Sequence, residues 1–294
     1  MTVSPPSAVL RGIGLFLATV LIFACLDTLS KYMTDELHVI QIAWGRYLFS
    51  SVFLLVLVPR YGAIRPLRSA RPWFQIVRAA LLAAVSLMFF TAVSYLPLVD
   101  VTAIGFLAPL ILTGLGHFVL RERVGIRRWM AITVGFVGVL VIIRPGFSAF
   151  HWAVLIALAM AASNALYQLA TRMLAGVDSA QTTIFFTNLV GTVGFSLLIP
   201  FFWTPPGLFG WVSLAALGFL GGLGHYLLIQ AFAYAPVSML APFSYTAIVW
   251  VTISGYLVFH QLPDLWTVIG AAIIIGSGIY VLYREAYLRR VGRL

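Results

Sequence analysis

The sequence predicts an all-α integral membrane protein with ten transmembrane helices in two inverted five-helix repeats. Its composition is 62% hydrophobic and only 9% charged, whereas a soluble domain carries about 25% charged residues. The mean hydropathy is +1.04. Its apolar runs are continuous for roughly 20 residues, which favours membrane helices over barrel strands of alternating polarity. Finally, short sequence motifs of the first half of the chain recur at a nearly constant spacing in the second half.

The apolar runs follow one another along the whole chain, separated by short polar or proline-containing turns. The first run is longer than a signal-peptide core of about 7–15 residues, so we expect it to be retained as a span. The ten predicted spans are 12–33, 39–58, 73–95, 99–120, 129–143, 149–174, 180–201, 208–234, 237–259 and 265–283.

A Tyr-x-Pro corner before a long apolar segment occurs once in each half of the chain. A shift of about 139 positions superimposes Tyr95 on Tyr234 and Pro97 on Pro236. Because proline ends a helix at or before its own position, both corners are predicted helix hairpins. An internal repeat of this kind in a membrane chain is typical of a transporter built from two related halves.

The repeat extends over all ten spans, since a shift of about 141 positions also places Lys31 on Arg172. Spans one to five therefore correspond to spans six to ten. Five is an odd number, so the second copy must enter the membrane the other way up. We expect one repeat in residues 1–146 and the other in residues 147–294, with a binding site between them near the middle of the membrane.

Basic residues collect at alternate span ends, which predicts the orientation. In a ten-span topology one side carries Arg11, Arg60, Arg65, Arg68, Arg71, Arg121, Arg123, Arg127, Arg128, Arg172, Arg284, Arg289, Arg290 and Arg293. The opposite side carries Lys31 and Arg144, together with Asp35, Glu36, Asp100 and Asp264. The positive-inside rule then places both termini in the cytoplasm. The same rule accounts for the net charge of +10 without a nucleic-acid partner.

The motifs of several enzyme classes are absent from the sequence. It contains no G-x-x-x-x-G-K-[ST] phosphate loop, no H-E-x-x-H zinc motif and no C-x-x-C pair. The single cysteine, Cys25, excludes an intrachain disulfide. We therefore expect no enzymatic activity, no cofactor and no metal.

A set of short motifs at the turns and in the spans carries a resemblance to a known family. The motifs are Tyr95-Leu96-Pro97, Leu107-Ala108-Pro109, Arg121-Glu122-Arg123, Tyr234-Ala235-Pro236, Pro242 and the glycines Gly270, Gly276 and Gly278. Over nearly its whole length the chain resembles the EamA-type, ten-helix branch of the drug/metabolite transporter superfamily. Gln261 departs from that pattern, because a glutamate often recurs at its position. The aromatic content is similar to that of bacterial amino-acid exporters of this branch, including those for aromatic amino acids.

Three ionisable residues inside the first two spans are the leading site candidates, because charges within a span are costly. Asp27 and Lys31 lie on one helix face, and Arg46 lies at a depth similar to that of Asp27. Asp27 and Arg46 form either a structural ion pair or part of a site. In the second case Arg46 or Lys31 binds a substrate carboxylate, and Asp27 takes protons or binds an ammonium group.

Other polar and aromatic side chains within the spans have both a packing and a functional interpretation. The histidines fit a proton relay or a buried structural role, and the amides and hydroxyls fit a cavity wall or bonds between helices. The deep aromatics fit lipid contact or a cavity for an aromatic side chain. These candidates are Phe90, Phe106, His117, Asn164, Tyr167, Gln168, His225, Tyr245 and Trp250. Arg78, near a span end, is predicted to extend towards the membrane surface.

Helix breakers and small residues add predictions about shape. Pro109 and Pro242 are predicted to interrupt the helices of the fourth and ninth spans. Gly218 and Gly222, one turn apart, are predicted to allow close approach of a neighbouring helix.

Together these observations and the resemblance imply a secondary transporter of the bacterial inner (plasma) membrane that exports amino acids, aromatic or neutral, or related small metabolites by alternating access. A broad drug or metabolite exporter is the alternative within the same class. A lipid flippase and an intramembrane enzyme are alternatives from other classes. The expected partners are a small-molecule substrate and the lipid bilayer, and we expect the chain to act as a monomer.

Overall fold

The computed structural model describes residues 6–57, 69–120, 125–144, 151–174 and 177–290. Every regular element within these ranges is helical. The helices are α1 (Pro6–Met33), α2 (Val39–Leu57), α3 (Pro72–Tyr95), α4 (Leu98–Gly105), α5 (Ala108–Leu120), α6 (Ile126–Ile143), α7 (Ala153–Leu174), α8 (Ala180–Leu198), α9 (Leu208–Tyr234), α10 (Val237–Leu240), α11 (Ala247–Phe259) and α12 (Leu265–Arg290), with 3₁₀ segments at Ile199–Phe201 and Ala241–Thr246. The predicted all-α class is confirmed.

The helices have the length and hydropathy that membrane spans require. Nine segments of the described chain are long and apolar enough to cross a bilayer. α2 adds a shorter apolar stretch, Val39–Leu54, and packs beside α8 and α9 within the same bundle. The predicted set of spans is therefore recovered, with α4 and α5 sharing one span, and α10 and α11 sharing another.

Prolines set several of the helix boundaries. Pro72 occupies the first turn of α3, where a missing N–H costs nothing. Pro97 directly precedes α4 and forms its N-cap position. Pro109 lies just after the break between α4 and α5, and Pro242 lies in the 3₁₀ segment between α10 and α11. Both predicted interruptions are confirmed.

Two ends of the bundle can be named from their contacts. We call the end that carries the loop between α7 and α8 the Asp178 end, because Asp178 lies in that loop. The opposite end, where α1 and α3 finish, is the Lys31 end. α1 runs towards the Lys31 end, whereas α7, its counterpart in the second half, runs towards the Asp178 end. The second repeat is therefore inverted, as the odd span number predicts.

The packing of the helices repeats when the two halves are exchanged. α1 packs along α9, and likewise α7 packs along α3. α2 also contacts α9, and its counterpart α8 contacts α3. Two further pairs join equivalent helices: α2 meets α8, and α6 meets α12. These contacts of one half thus have counterparts in the other.

Glycines bring α9 unusually close to α2. A Cβ atom added to Gly218 would lie 2.3 Å from Cβ of Phe49 and 2.7 Å from the backbone nitrogen of Ser50. One added to Gly222 would lie 2.4 Å from Cδ1 of Phe53. These distances leave no room for a side chain, so the predicted close approach at Gly218 and Gly222 is confirmed.

Some residues used in the sequence analysis lie outside the described part of the chain. They are Arg60, Arg65, Arg68, Arg121, Glu122, Arg123 and Arg293, and the side chains of Arg289 and Arg290.

Candidate functional site

A cavity of about 310 Å³ lies between α2 and α3 of the first half and α7, α8 and α9 of the second. It extends along the bundle to the loop at the Asp178 end. Its polar lining consists of Arg46, Tyr47, Ser50, Arg78, Tyr167, Thr171, Asp178, Thr183, Thr187, Asn188 and His225. The cavity therefore lies between the two repeats, where the sequence predicts a binding site.

Arg46 projects from α2 about 11 Å along the helix from its first residue, at 1.5 Å per residue. Its Nη1 donates a hydrogen bond to Oγ of Ser86 at 2.7 Å. The guanidinium also lies 5.6 Å from the ring centre of Tyr47 and 5.9 Å from that of Phe90. These contacts hold the Nη1 side of the guanidinium, while the same side chain lines the cavity.

Arg78 is the second cation of the cavity wall. The prediction that it extends to the membrane surface is wrong, because the side chain is only 3% exposed. Its Nε donates to Thr171 at 2.7 Å, Nη1 to Thr187 at 2.8 Å and Nη2 to the hydroxyl of Tyr167 at 2.8 Å. Partners on α7 and α8 thus turn an α3 arginine inward and join the two repeats.

His225 lines the cavity from α9, one turn after Gly221. Its Nδ1 lies 3.0 Å from the carbonyl oxygen of Gly221. The ring packs edge-on against Phe23 of α1, with ring centres 5.3 Å apart. Both contacts fix the orientation of the imidazole.

The charged groups of the described cavity lining carry an excess of one positive charge. Arg46 and Arg78 contribute two guanidinium groups, and Asp178 at one end is the single carboxylate of the described lining. Asp27 lies close enough to Arg46 for an electrostatic interaction, but it does not line the cavity. Among the described side chains, Asp27 and Arg46 do not form the ion pair that was one predicted alternative. The cavity is therefore suited to an anionic group.

Asp178 joins the two repeats at its end of the bundle. Its carboxylate accepts hydrogen bonds from the hydroxyl of Ser69 at 2.5 Å, the amide of Gln75 at 2.8 Å and the backbone N–H of Ala70 at 2.9 Å. Burial alone would raise the pKa of Asp178, but these bonds and the nearby charge of Arg71 outweigh it and lower the pKa below its ordinary value. The carboxylate therefore stays charged at neutral pH.

Hydrogen bonds also connect elements at the Lys31 end. Gln41, which is fully buried, donates to the carbonyl of Thr204 at 2.8 Å and accepts from the backbone N–H of the same residue at 2.9 Å. The ammonium of Lys31 donates to the carbonyls of Val93 and Leu96 at 3.0 and 2.6 Å, and so caps the end of α3. The hydrogen bonds of Gln41 and Lys31 therefore connect the elements at the Lys31 end, whereas the cavity extends to the Asp178 end.

An ion pair also connects α6 to α12 at the Lys31 end. Arg144 forms an ion pair with Asp264, which also accepts a hydrogen bond from the backbone N–H of Thr267 at 2.7 Å. Burial would raise the pKa of Asp264, but the bonds from Thr267 and the charge of Arg144 lower it. The pair therefore persists at neutral pH.

The structure brings together some of the predicted site residues and separates others. Arg46, Tyr167 and His225 line the cavity. The predicted residues outside its described lining are Asp27, Lys31, Phe90, Phe106, His117, Asn164, Gln168, Tyr245 and Trp250.

The predicted aromatics outside the cavity occupy three different places. The rings of Phe106 and Tyr245 contact each other, with centres 5.0 Å apart. Trp250 lines a second, apolar groove between α1 and α11. Phe90 is fully buried beneath the guanidinium of Arg46. Only Phe90 is therefore placed to influence the cavity, and it does so through Arg46.

The remaining predicted polar residues also differ in position. His117 is exposed near the end of α5 and packs against Phe118 and Trp129. Asn164 and Gln168 are half-buried on α7, the helix that contributes Tyr167 to the cavity. In the described part of the chain no three metal-binding side chains come together.

Ten apolar spans in two inverted halves, with a polar cavity between the halves, define a multi-pass membrane transporter. The sequence profile of the EamA-like transporter family matches residues 10–144 and 151–284, one match for each half. The chain belongs to this family.

Curated relatives and solved structures agree with this assignment. The chain is 31% identical to an S-adenosylmethionine uptake transporter of Rickettsia bellii, over 93% of this chain and 94% of the relative. It is 28% identical to a riboflavin transporter of Vibrio cholerae, over 94% of each chain. It is 24% identical to a pseudopaline exporter of Pseudomonas aeruginosa, over 86% of this chain and 89% of the relative. A crystal structure with 21% identity and a TM-score of 0.65, over 92% and 95% of the two chains, shares the fold.

Proposed function

We propose that this transporter carries a small organic solute with a carboxylate group through the cavity between its repeats, by alternating access. The observation that supports this most directly is the position of Arg46 in a cavity whose described lining holds two arginines and one carboxylate. An arginine binds a carboxylate through two parallel N–H groups, which adds both strength and orientation.

The hydrogen-bonding state of the two arginines assigns them different roles. Arg78 uses Nε, Nη1 and Nη2 to bind Thr171, Thr187 and Tyr167, so it acts chiefly as a fixed positive charge. Arg46 has five N–H groups, of which the described structure engages Nη1 with Ser86. Its Nε and Nη2 groups remain to bind the solute.

The size and walls of the cavity favour a metabolite of moderate size. A volume of about 310 Å³ lies at the lower end of the range for small-molecule sites, roughly 300–1,000 Å³. Tyr47, Tyr167 and Phe232 supply aromatic surface beside the arginines. An amino acid, as the sequence predicts, or S-adenosylmethionine, which is named for the Rickettsia relative, would supply both a carboxylate and a larger side group.

The proposal includes the topology that the arginine distribution predicts. Both termini lie in the cytoplasm of a bacterial inner membrane, and the cavity at the Asp178 end faces the cytoplasm. Export of amino acids is the direction predicted from the sequence. The relatives include both an uptake transporter and an exporter, so the direction is a quantity to measure.

The test is transport by the purified chain in proteoliposomes. Labelled S-adenosylmethionine, phenylalanine and riboflavin are offered separately, with and without a pH gradient, to vesicles of known protein orientation. We expect transport of a carboxylate-bearing solute, and we expect Arg46→Gln to lower it at least tenfold while Arg46→Lys retains more. Arg127→Gln, an exposed arginine outside the described cavity lining, is the matched control.

Two results would contradict the proposal. Transport of riboflavin, which has no carboxylate, without transport of either amino-acid solute would indicate a different substrate class. Full transport by a correctly inserted Arg46→Gln protein would remove Arg46 from the site.

A further inference from the structure

The hydrogen bond between His225 and Gly221 determines where the imidazole carries its proton. A backbone carbonyl oxygen can only accept a hydrogen bond, and it lies 3.0 Å from Nδ1 of His225. Nδ1 must therefore be the protonated nitrogen. In the neutral ring Nε2 then has a free lone pair and acts as a hydrogen-bond acceptor.

The side chain of Arg46 also lies close to Gly221. A Cβ atom added to Gly221 would be 3.5 Å from Leu26 and 3.8 Å from Nε of Arg46. Because Gly221 has no side chain, the guanidinium and the imidazole both border it and both line the cavity. Donor N–H groups and an acceptor nitrogen therefore lie beside each other at one place on the wall.

Both groups are held in place by neighbours outside the cavity. Ser86 accepts from Nη1 of Arg46, and Phe23 packs edge-on against the ring of His225. The arrangement therefore exists before a solute binds, which reduces the entropy lost on binding.

A donor beside an acceptor is complementary to a particular chemical group. The α-carbon of an amino acid carries a carboxylate, which only accepts, next to an ammonium group, which only donates. The sequence predicts Arg46 or Lys31 for the carboxylate and Asp27 for the ammonium group. Arg46 lines the cavity, whereas Lys31 and Asp27 lie outside its described lining.

We propose that Arg46 and His225 together recognise an α-amino-carboxylate group, with Arg46 binding the carboxylate and Nε2 of His225 accepting a hydrogen bond from the ammonium. This inference rests on the proposed function and narrows its substrate class from carboxylates to solutes with an amino-acid head group. His225 is then a specificity-determining residue, because it distinguishes an amino acid from the corresponding simple carboxylic acid.

The test compares pairs of solutes that differ only at the ammonium group. S-adenosylmethionine and phenylalanine are each paired with the analogue that has hydrogen in place of the ammonium, and equilibrium binding to the purified full chain is measured. The wild-type protein is expected to bind at least one parent ~10- to 100-fold more tightly than its analogue, as a hydrogen bond to a charged group implies.

Substitutions at His225 then test the assignment. His225→Phe keeps a ring but removes the acceptor nitrogen. We expect this variant to bind each parent solute and its analogue with affinities that differ by no more than about twofold. His225→Gln places an amide oxygen near the position of Nε2, and we expect it to restore much of the ratio of affinities. His117→Phe, a histidine outside the cavity lining, controls for loss of a histidine, and size-exclusion profiles confirm that each variant is folded.

The possible failures can be told apart. A ratio that is unchanged in folded His225→Phe, or a wild-type protein that binds the parents no better than their analogues, would overturn this inference alone. Binding of parents and analogues that is insensitive to Arg46→Gln would overturn the proposed function, and this inference with it.

Discussion

Replacing glycines of α9 by alanine should separate the effect of helix packing on stability from the effect of the cavity wall on solute binding. Gly221 and Gly218 lie on the same helix, one turn apart. A Cβ atom on Gly221 meets its nearest described neighbour, Cδ1 of Leu26, at 3.5 Å, which is an ordinary van der Waals distance. A Cβ atom on Gly218 would lie 2.3 Å from Cβ of Phe49 and 2.7 Å from the backbone nitrogen of Ser50.

The two substitutions therefore have different energetic consequences. Each gains up to about 1 kcal/mol from the higher helix propensity of alanine. For Gly221→Ala no steric cost opposes this gain, so stability should be unchanged or slightly higher. For Gly218→Ala, contacts about 1 Å too short force α2 and α9 apart. Overpacking of this kind costs about 1–3 kcal/mol, and more where backbone is involved, so the variant should be clearly less stable.

Solute binding, by contrast, should be weakened by Gly221→Ala, the variant that keeps its stability. The methyl group of Gly221→Ala would lie 3.8 Å from Nε of Arg46, on the surface where a carboxylate oxygen would approach. Loss of one charge-assisted hydrogen bond, about 1.5–3 kcal/mol, weakens binding roughly tenfold or more.

Thermal unfolding followed by size-exclusion chromatography measures the first effect, and solute binding to the purified protein measures the second. The reasoning is refuted if Gly221→Ala and Gly218→Ala lose stability alike. It is also refuted if Gly221→Ala binds the solute with wild-type affinity.

Three further predictions concern the contacts at the two ends. Gln41→Ala leaves the backbone groups of Thr204 without their partner, and we expect a loss of about 1–3 kcal/mol in the free energy of unfolding, measured by denaturant or thermal unfolding. Lys31→Met removes the two hydrogen bonds that cap α3, one of them to Leu96, and should lower the melting temperature. Lys31→Arg, which keeps N–H donors, should lower the melting temperature less. Because the pKa of Asp178 is lowered below its ordinary value, the stability that its charge provides is present above the unfolded-state pKa and is lost as the pH falls through the folded-state pKa. The difference in melting temperature between wild type and Asp178→Asn should therefore be constant from about pH 8 to 5 and shrink below about pH 4, and a difference that already shrinks at pH 6 would contradict this assignment.

The architecture could be predicted from the sequence because hydropathy and proline positions encode it directly. A run of apolar residues identifies a span without any knowledge of its neighbours. Proline removes a backbone donor wherever it occurs, so the interruptions near Pro109 and Pro242 follow from chemistry alone. The inverted repeat follows from an odd number of spans in each half.

The composition of the cavity could be predicted only in part, because the sequence does not specify how each helix is rotated about its axis. Arg46 and His225 were identified as charges and rings inside spans. Phe106 and Tyr245 met the same criteria, but their helices turn them towards each other and away from the cavity.

The sequence predicts that Arg78 extends to the membrane surface, because it lies near the end of the third span. The hydroxyl groups that turn it inward belong to α7 and α8, about 90 to 110 residues further along the chain. A signal did exist in the sequence, since Thr171 and Thr187 are polar residues inside apolar spans. Their common partner becomes evident only when the helices are assembled.

The hydrogen bonds of Gln41 and those of Asp178 differ in chemistry, although the backbones that carry them are related by the repeat. At one end an uncharged glutamine holds backbone groups of Thr204, and at the other the ionised carboxylate of Asp178 holds Ser69, Ala70 and Gln75. Acidification therefore acts on the hydrogen bonds of Asp178 and not on those of Gln41. Under the proposed alternating access, a change of pH would therefore act on the Asp178 end of the bundle without altering the contact between Gln41 and Thr204.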